Sequence, residues 1–147
     1  MIKIVIAILL IAILCIKIYE VVMKYRESYK NVFNFKCVIV STDKLRKKGL
    51  MYRKKKLKDS QGMLFDFKEP MAISLWMKNT FIPLDAIYLN EDGKIVDINE
   101  GLKPHSKKSV KSNKLSRYVM EVNSKTVKNK NIKVGDYIKI SKLKKLS

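Results

Sequence analysis

The stretch Asp85-Ala86-Ile87-Tyr88-Leu89-Asn90-Glu91-Asp92-Gly93-Lys94-Ile95-Val96-Asp97-Ile98 decides the fold. Residues 85–89 and 94–98 are rich in apolar and β-branched side chains, as strands require. Between them Asn90, Glu91, Asp92 and Gly93 form a turn, with glycine where a positive φ must be tolerated. The reading is an antiparallel hairpin, and the chain on either side continues it. Phe33, Phe35, Cys37 and Ile39 alternate on one face of a strand, and further strands are predicted over 62–67, 73–79, 117–122 and 137–140. Thr42 is placed as an N-cap, Asp43 in the first turn and Gly49 at the C-terminal stop, which predicts a helix of about two turns. Ser124 is read as the cap of a second short helix ending near Asn131. Residues 104–116 form a polar loop too long to be a mere connection. No internal repeat and no β–α–β alternation is visible. The fold class is α+β: a compact, mostly antiparallel sheet, open or curled into a barrel, with two short helices.

The N-terminus is of another kind. Residues 4–16 are an unbroken apolar run preceded by Lys3, and Ile18, Tyr19, Val21, Val22 and Met23 extend it. The core run suits the h-region of a secretory signal, and the extended segment is long enough for one membrane crossing. Lys17 and Glu20 interrupt it three residues apart, on one helix face. The exit lacks the small residues of a cleavage site, so an uncleaved signal anchor is expected. The organisation expected is an anchor over 1–23, a polar linker over 24–32, a domain over 33–141 and a frayed basic tail over 142–147.

Lys and Arg number 32 against 13 Asp and Glu, a net charge of +19 in 147 residues. Such a chain is drawn to polyanions, so an anionic lipid or a wall polymer is a conceivable partner. Only four of the basic residues are arginine (Arg26, Arg46, Arg53 and Arg117), and aromatic interleaving is sparse. Specific nucleic-acid binding is therefore not expected. A single histidine, His105, excludes sites built on two imidazoles, and two cysteines exclude a disulfide scaffold or a four-cysteine metal site. No phosphate-cradling loop, dinucleotide fingerprint or zinc spacing occurs, and no cofactor is expected. Cys37 reads as a buried, inert thiol, and the methionines as core filler.

Several blocks carry a resemblance: Gly49-Leu50-Met51-Tyr52-Arg53, Gly62-Met63-Leu64-Phe65-Asp66-Phe67 and Trp76-Met77-Lys78-Asn79-Thr80-Phe81-Ile82-Pro83-Leu84-Asp85. With Asp92-Gly93-Lys94-Ile95-Val96, Arg117-Tyr118-Val119-Met120-Glu121-Val122 and Ile132-Lys133-Val134-Gly135-Asp136, they resemble domain-of-unknown-function family 192 over residues 38–140. The resemblance implies a small β-rich domain and members that often follow an export signal or membrane anchor. It therefore implies an extracytoplasmic domain, against the positive charge that follows the anchor; long domains translocate largely regardless of charge. It implies no reaction. Where the family turns through a glycine after the Glu121 strand, Ser124 and Lys125 stand here.

The candidate site lies around the Pro83 bend. If residues 76–80 form a strand, Trp76, Lys78 and Thr80 share a face and Met77 and Asn79 the other. Lys78 and Asp85 would then pair across the bend beside the flat face of Trp76, making a pocket for a small polar ligand with Asn79 and Glu121. The alternative is a strut, with Lys78 and Asp85 structural and Asn79 and Thr80 bonding the turn backbone. Three functions are carried forward. The first is a membrane-anchored, non-enzymatic ligand-binding or accessory module of the cell envelope. The second is a hydrolase or transferase on an envelope substrate, using Lys78 with Asp85 or Glu121. The third is an electrostatic polyanion binder working through residues 54–58 and 103–114. One shared hydrophobic core is expected from Phe33, Phe35, Leu64, Phe65, Phe67, Trp76 and Val119, some of them on opposite strand faces, which requires a closed or two-sided sheet.

Overall fold

The structure is a computed structural model that describes residues 1–28 and 31–146. The chain divides into two units, Met1–Lys30 and Asn31–Ser147. The first holds α1 (Ile2–Ser28), which contains no glycine or proline to interrupt it. Its segment Ile2–Met23 is long and apolar enough to cross a membrane, about 33 Å at 1.5 Å per residue against about 30 Å of hydrocarbon. A signal sequence near an N-terminus passes the same test, so α1 fits either an anchor or a signal. The linker expected over 24–32 is helical as far as Ser28, and its residues 29 and 30 lie outside the described residues.

The second unit runs β1 (Val32–Val40), α2 (Asp43–Lys48), β2 (Gln61–Met71), β3 (Ser74–Leu75), β4 (Leu84–Leu89), β5 (Ile95–Leu102), β6 (Val110–Lys111), β7 (Ser116–Asn123), α3 (Thr126–Lys130) and β8 (Tyr137–Lys142). Six strands form one sheet in the order β5-β4-β7-β2-β1-β8, while β3 and β6 make a separate two-stranded ribbon. The β4–β5, β4–β7 and β2–β7 pairs are antiparallel. The two edges approach at one end, where Lys94 bridges Tyr137 and the Ile95 N–H donates to the Asp136 carbonyl at 2.8 Å. The sheet is thus a curled half-barrel within an α+β fold. The hairpin forms as read: Gly93 has φ 81°, and the Asn90 side chain accepts from the Asp92 and Lys94 amides. A Cβ on Gly93 would stand 2.8 Å from the Ile138 carbonyl oxygen, so the same glycine admits β8 at the seam.

Alternation along the strands makes the sheet two-sided, and each side buries its own core. One face carries Phe35, Cys37, Leu64, Ile87, Leu89, Met120, Val122 and Val127, with Phe33 packed alongside. The other carries Val40, Leu50, Phe65, Met77, Ile82, Leu84, Tyr88 and Val119, with Phe67 alongside. The single shared core is therefore two cores, and Trp76, 49% exposed, belongs to neither. Ile39 is also exposed; beyond Cys37 it is Val38 and Val40 that pack, against the second core. Cys37 lies fully buried against Met120 Sδ at 3.5 Å, and burial pushes its thiol up to about 12.

Four other expectations are corrected. β1 runs parallel to both β2 and β8, so β1–α2–β2 is a β–α–β unit; its six-residue helix is too short to show a 3.6-residue period. Residues 73–79 contribute only Ser74 and Leu75 to a strand. Ser124 does not cap α3: Lys125 occupies that position at φ 70° without a side-chain bond. The tail is not frayed in its described part, since the Leu143 N–H donates to the Cys37 carbonyl at 2.7 Å and Leu146 packs on the core.

Candidate functional site

The face that carries Phe65 and Val119 is not closed. A cavity of about 450 Å³ opens there, within the ~300–1,000 Å³ usual for small-ligand sites. Phe65 and Phe67 from β2, Leu50 and Met51 after α2, Leu75, Thr80 and Glu121 line it; Met71, Trp76, Lys47 and Lys48 stand at its exposed margin. Local sequence explains each wall. Thr42 accepts from the Leu45 amide and Gly49 ends α2 at φ 44°, turning the chain inward at Leu50. Arg46 bolts α2 to β2: its guanidinium donates to the Ser41 and Asp66 carbonyls at 2.6 and 2.7 Å, pairs with Asp43 and lies over the Phe67 ring.

Glu121 is the singular feature. It sits on β7 between Met63 of β2 and Ala86 of β4. Gly62 permits this close approach, because a Cβ there would lie 2.9 Å from the Glu121 carbonyl oxygen. The residue is 5% exposed, and among the described residues no hydrogen bond or ion pair reaches its carboxyl. Burial pushes that carboxyl up to about 8. Burial also raises the phenol of Tyr88 on the same face; the Asn99 amide bonded to it opposes the rise, while Asp97 and Glu121 add to it. A buried carboxyl without a partner is costly, and its cost is recovered when something supplies one.

The sequence-derived site is divided by the structure. Glu121 and Trp76 line the cavity. Asp85 is fully buried beneath the opposite face, where Oδ1 accepts from Gly101 N–H at 2.9 Å and Oδ2 from Val127 N–H at 3.1 Å. It caps α3 from a distance, supplying the acceptor that Lys125 lacks. Among the described residues no ion pair joins it to Lys78; the exposed Lys78 ammonium lies 5.4 Å from the Trp76 ring centre. The strand expected through Trp76 gives way to a turn, in which Thr80 N–H donates to the Met77 carbonyl and Asn79 takes φ 56°. Asn79 then bonds Tyr52 twice, through its side chain at 3.0 Å and its carbonyl at 2.7 Å. Met77 N–H donates to Ser106 and Thr80 accepts from His105 N–H, so the loop over 104–116 clamps this segment. That turn and its bonds to Tyr52, His105 and Ser106 give Met77, Asn79 and Thr80 structural roles.

Residue reading missed Leu50, Phe65, Phe67, Lys47 and Lys48 as cavity residues. The available signal was that two of the resembling blocks, 49–53 and 62–67, supply most of the apolar wall.

A family model matches residues 25–140, that of DUF192, described as an uncharacterized ACR. The chain belongs to this family. Two solved structures are similar. One, from Sinorhizobium meliloti, with a transcription-regulator role proposed for it, is 39% identical with a TM-score of 0.67, covering 69% of this chain and 78% of its own. The other, a Novosphingobium aromaticivorans protein of unknown function, is 31% identical with a TM-score of 0.67, covering 70% of this chain and 73% of its own. No curated protein matches.

Proposed function

We propose that this DUF192 domain is a non-enzymatic small-molecule-binding module of the cell envelope, held by α1 as an uncleaved anchor with the domain on the extracytoplasmic side. The observation that carries the binding reading is Glu121, a carboxyl 5% exposed and without a partner among the described residues, in the wall of a 450 Å³ cavity that Leu50, Met51, Phe65, Phe67 and Leu75 line with apolar surface. A pocket with one or two convergent polar groups on an apolar lining is the usual form of a ligand site. The anchor reading is supported by the length of Ile2–Met23 and by the absence of small residues at its exit.

Catalysis by Lys78 with Asp85 or Glu121 finds less support. Asp85 lies on the other face with its oxygens committed, and Lys78 does not line the cavity. A transcription-regulator role like the one proposed for the S. meliloti relative, if exercised by direct DNA contact, finds little support either. The domain's helices are six and five residues long, short for reading a groove, and arginine is scarce.

The test is a thermal-shift screen of a chemically mixed metabolite library against wild type and Glu121→Gln. A ligand at 100 times its dissociation constant stabilises wild type by about 2.7 kcal/mol and leaves the variant unshifted. Hits that shift both proteins equally would place binding elsewhere. Fractionation checks the anchor: full-length chain in membranes is expected, and a soluble form beginning near residues 18–24 would refute it.

A further inference from the structure

We propose that the Glu121 cavity takes an apolar zwitterion, its ammonium against Glu121 inside and its acidic group held by Lys47 and Lys48 at the mouth; this rests on the small-molecule reading above. The chemistry is that of a short apolar peptide, whose ammonium and carboxylate stand at opposite ends with apolar side chains between them.

The inner end follows from Glu121. Raised to about 8 by burial, the carboxyl keeps its proton at neutral pH in the empty cavity. An entering ammonium supplies the counter-charge that lets it ionise and a charge-assisted hydrogen bond, roughly twice as strong as a neutral one. The middle follows from Leu50, Phe65, Phe67 and Leu75, which offer an aliphatic or aromatic body a surface and no hydrogen bonds.

The outer end follows from α2. Three basic residues line the cavity from this helix, Arg46, Lys47 and Lys48. Arg46 is committed to two backbone carbonyls, to Asp43 and to Phe67. Lys47 and Lys48 are exposed and have no ion-pair partner among the described residues. A plain amine would have to pass both ammonium groups on a protein of net charge +19. A molecule that also carries an acid is attracted to the mouth and satisfied there.

The experiment is calorimetric titration of the full chain in detergent micelles with four probes: the dipeptide Leu-Phe, its methyl ester, N-acetyl-Leu-Phe and phenylalanine. Leu-Phe is expected to bind, and its ester and acetyl derivative, each lacking one charge, at least tenfold more weakly. Glu121→Gln should weaken Leu-Phe tenfold or more. The double variant Lys47→Gln/Lys48→Gln, altered only at exposed positions, should weaken it severalfold and abolish the preference over the ester. Phenylalanine, with both charges on one carbon, is expected to bind more weakly than Leu-Phe, and equal binding overturns the end-to-end placement. An ester that binds as tightly as Leu-Phe, or an acetyl derivative that binds regardless of Glu121, overturns the zwitterion. A library hit that depends on Glu121 while all four probes fail also overturns it but leaves the small-molecule reading standing. If no compound depends on Glu121, both fall.

Discussion

Two buried carboxylates on neighbouring strands meet opposite fates. Asp85 of β4 faces the core that holds Phe35 and Met120, and both of its oxygens accept backbone amides. Glu121 of β7 faces the other core and accepts nothing among the described residues. Their burial is nearly the same, 0% and 5% exposed. The difference is what each is buried against: Asp85 against the two amides of Gly101 and α3, Glu121 against a cavity. Burial alone therefore does not mark a functional acid here. What separates the two is whether the fold itself answers the charge.

The largest expected contrast between the two is in pH dependence. The Glu121 carboxyl is raised from 4.5 to about 8. Below pH 4.5 folded and unfolded chains both hold its proton and burial carries no penalty. Between 4.5 and about 8 the unfolded chain releases the proton while the folded chain keeps it, so stability falls as pH rises. The loss is complete above about 8 and amounts to at most roughly 5 kcal/mol at 1.36 kcal/mol per pKa unit. Urea midpoints at pH 5, 7 and 9 should show this fall in wild type and a flatter profile in Glu121→Gln. Parallel profiles would mean that Glu121 is answered after all.

The two faces should also differ in their tolerance of truncation. Phe35→Ala opens a hole in the closed core and should cost roughly 3–5 kcal/mol, whereas Trp76→Ala, at the cavity margin, should cost no more than about 1 kcal/mol. Equal losses would show that Trp76 belongs to a core. Smaller again is the pair that tests the strut. Asp85→Asn leaves one of two buried amides without its acceptor and should cost about 2 kcal/mol. Lys78→Met should stay within about 0.5 kcal/mol of wild type, as exposed substitutions do. A large loss at Lys78 would restore the ion pair that the geometry denies.

Local chemistry was legible where it is self-contained. The hairpin through Gly93 and the helix between Thr42 and Gly49 are read from a handful of adjacent residues, because their hydrogen bonds close within the same handful. β1 beside β8 is not of this kind. A parallel neighbour leaves no turn in the sequence, and a six-residue crossover helix leaves almost no period. The α3 cap was misread for a related reason: a serine stands near the right place, but its amide is used by Pro83, and the capping carboxylate comes from Asp85. The lining of the candidate cavity was half legible. Trp76 and Glu121 line it, while Lys78, Asn79 and Asp85 were drawn in by assuming strand alternation through residues that form a turn. The wall contributed by α2 and β2 was hidden because only three-dimensional curvature brings Leu50 over Phe65.

The position of β1 in the sheet sets an order of events during synthesis. The amide of Asn31, just before β1, bonds Asp136, 105 residues further on, and β8 pairs with β1 from Val32 to Cys37. At roughly 5–20 residues per second the ribosome needs about 5–20 s to supply that partner. Through this interval the first-made strand of the domain has an unpaired flank, and the sheet cannot curl to its Lys94–Tyr137 seam. The apolar α1 has by then already emerged. The topology thus delays closure of the sheet at its seam until well after the N-terminal segment has left the ribosome.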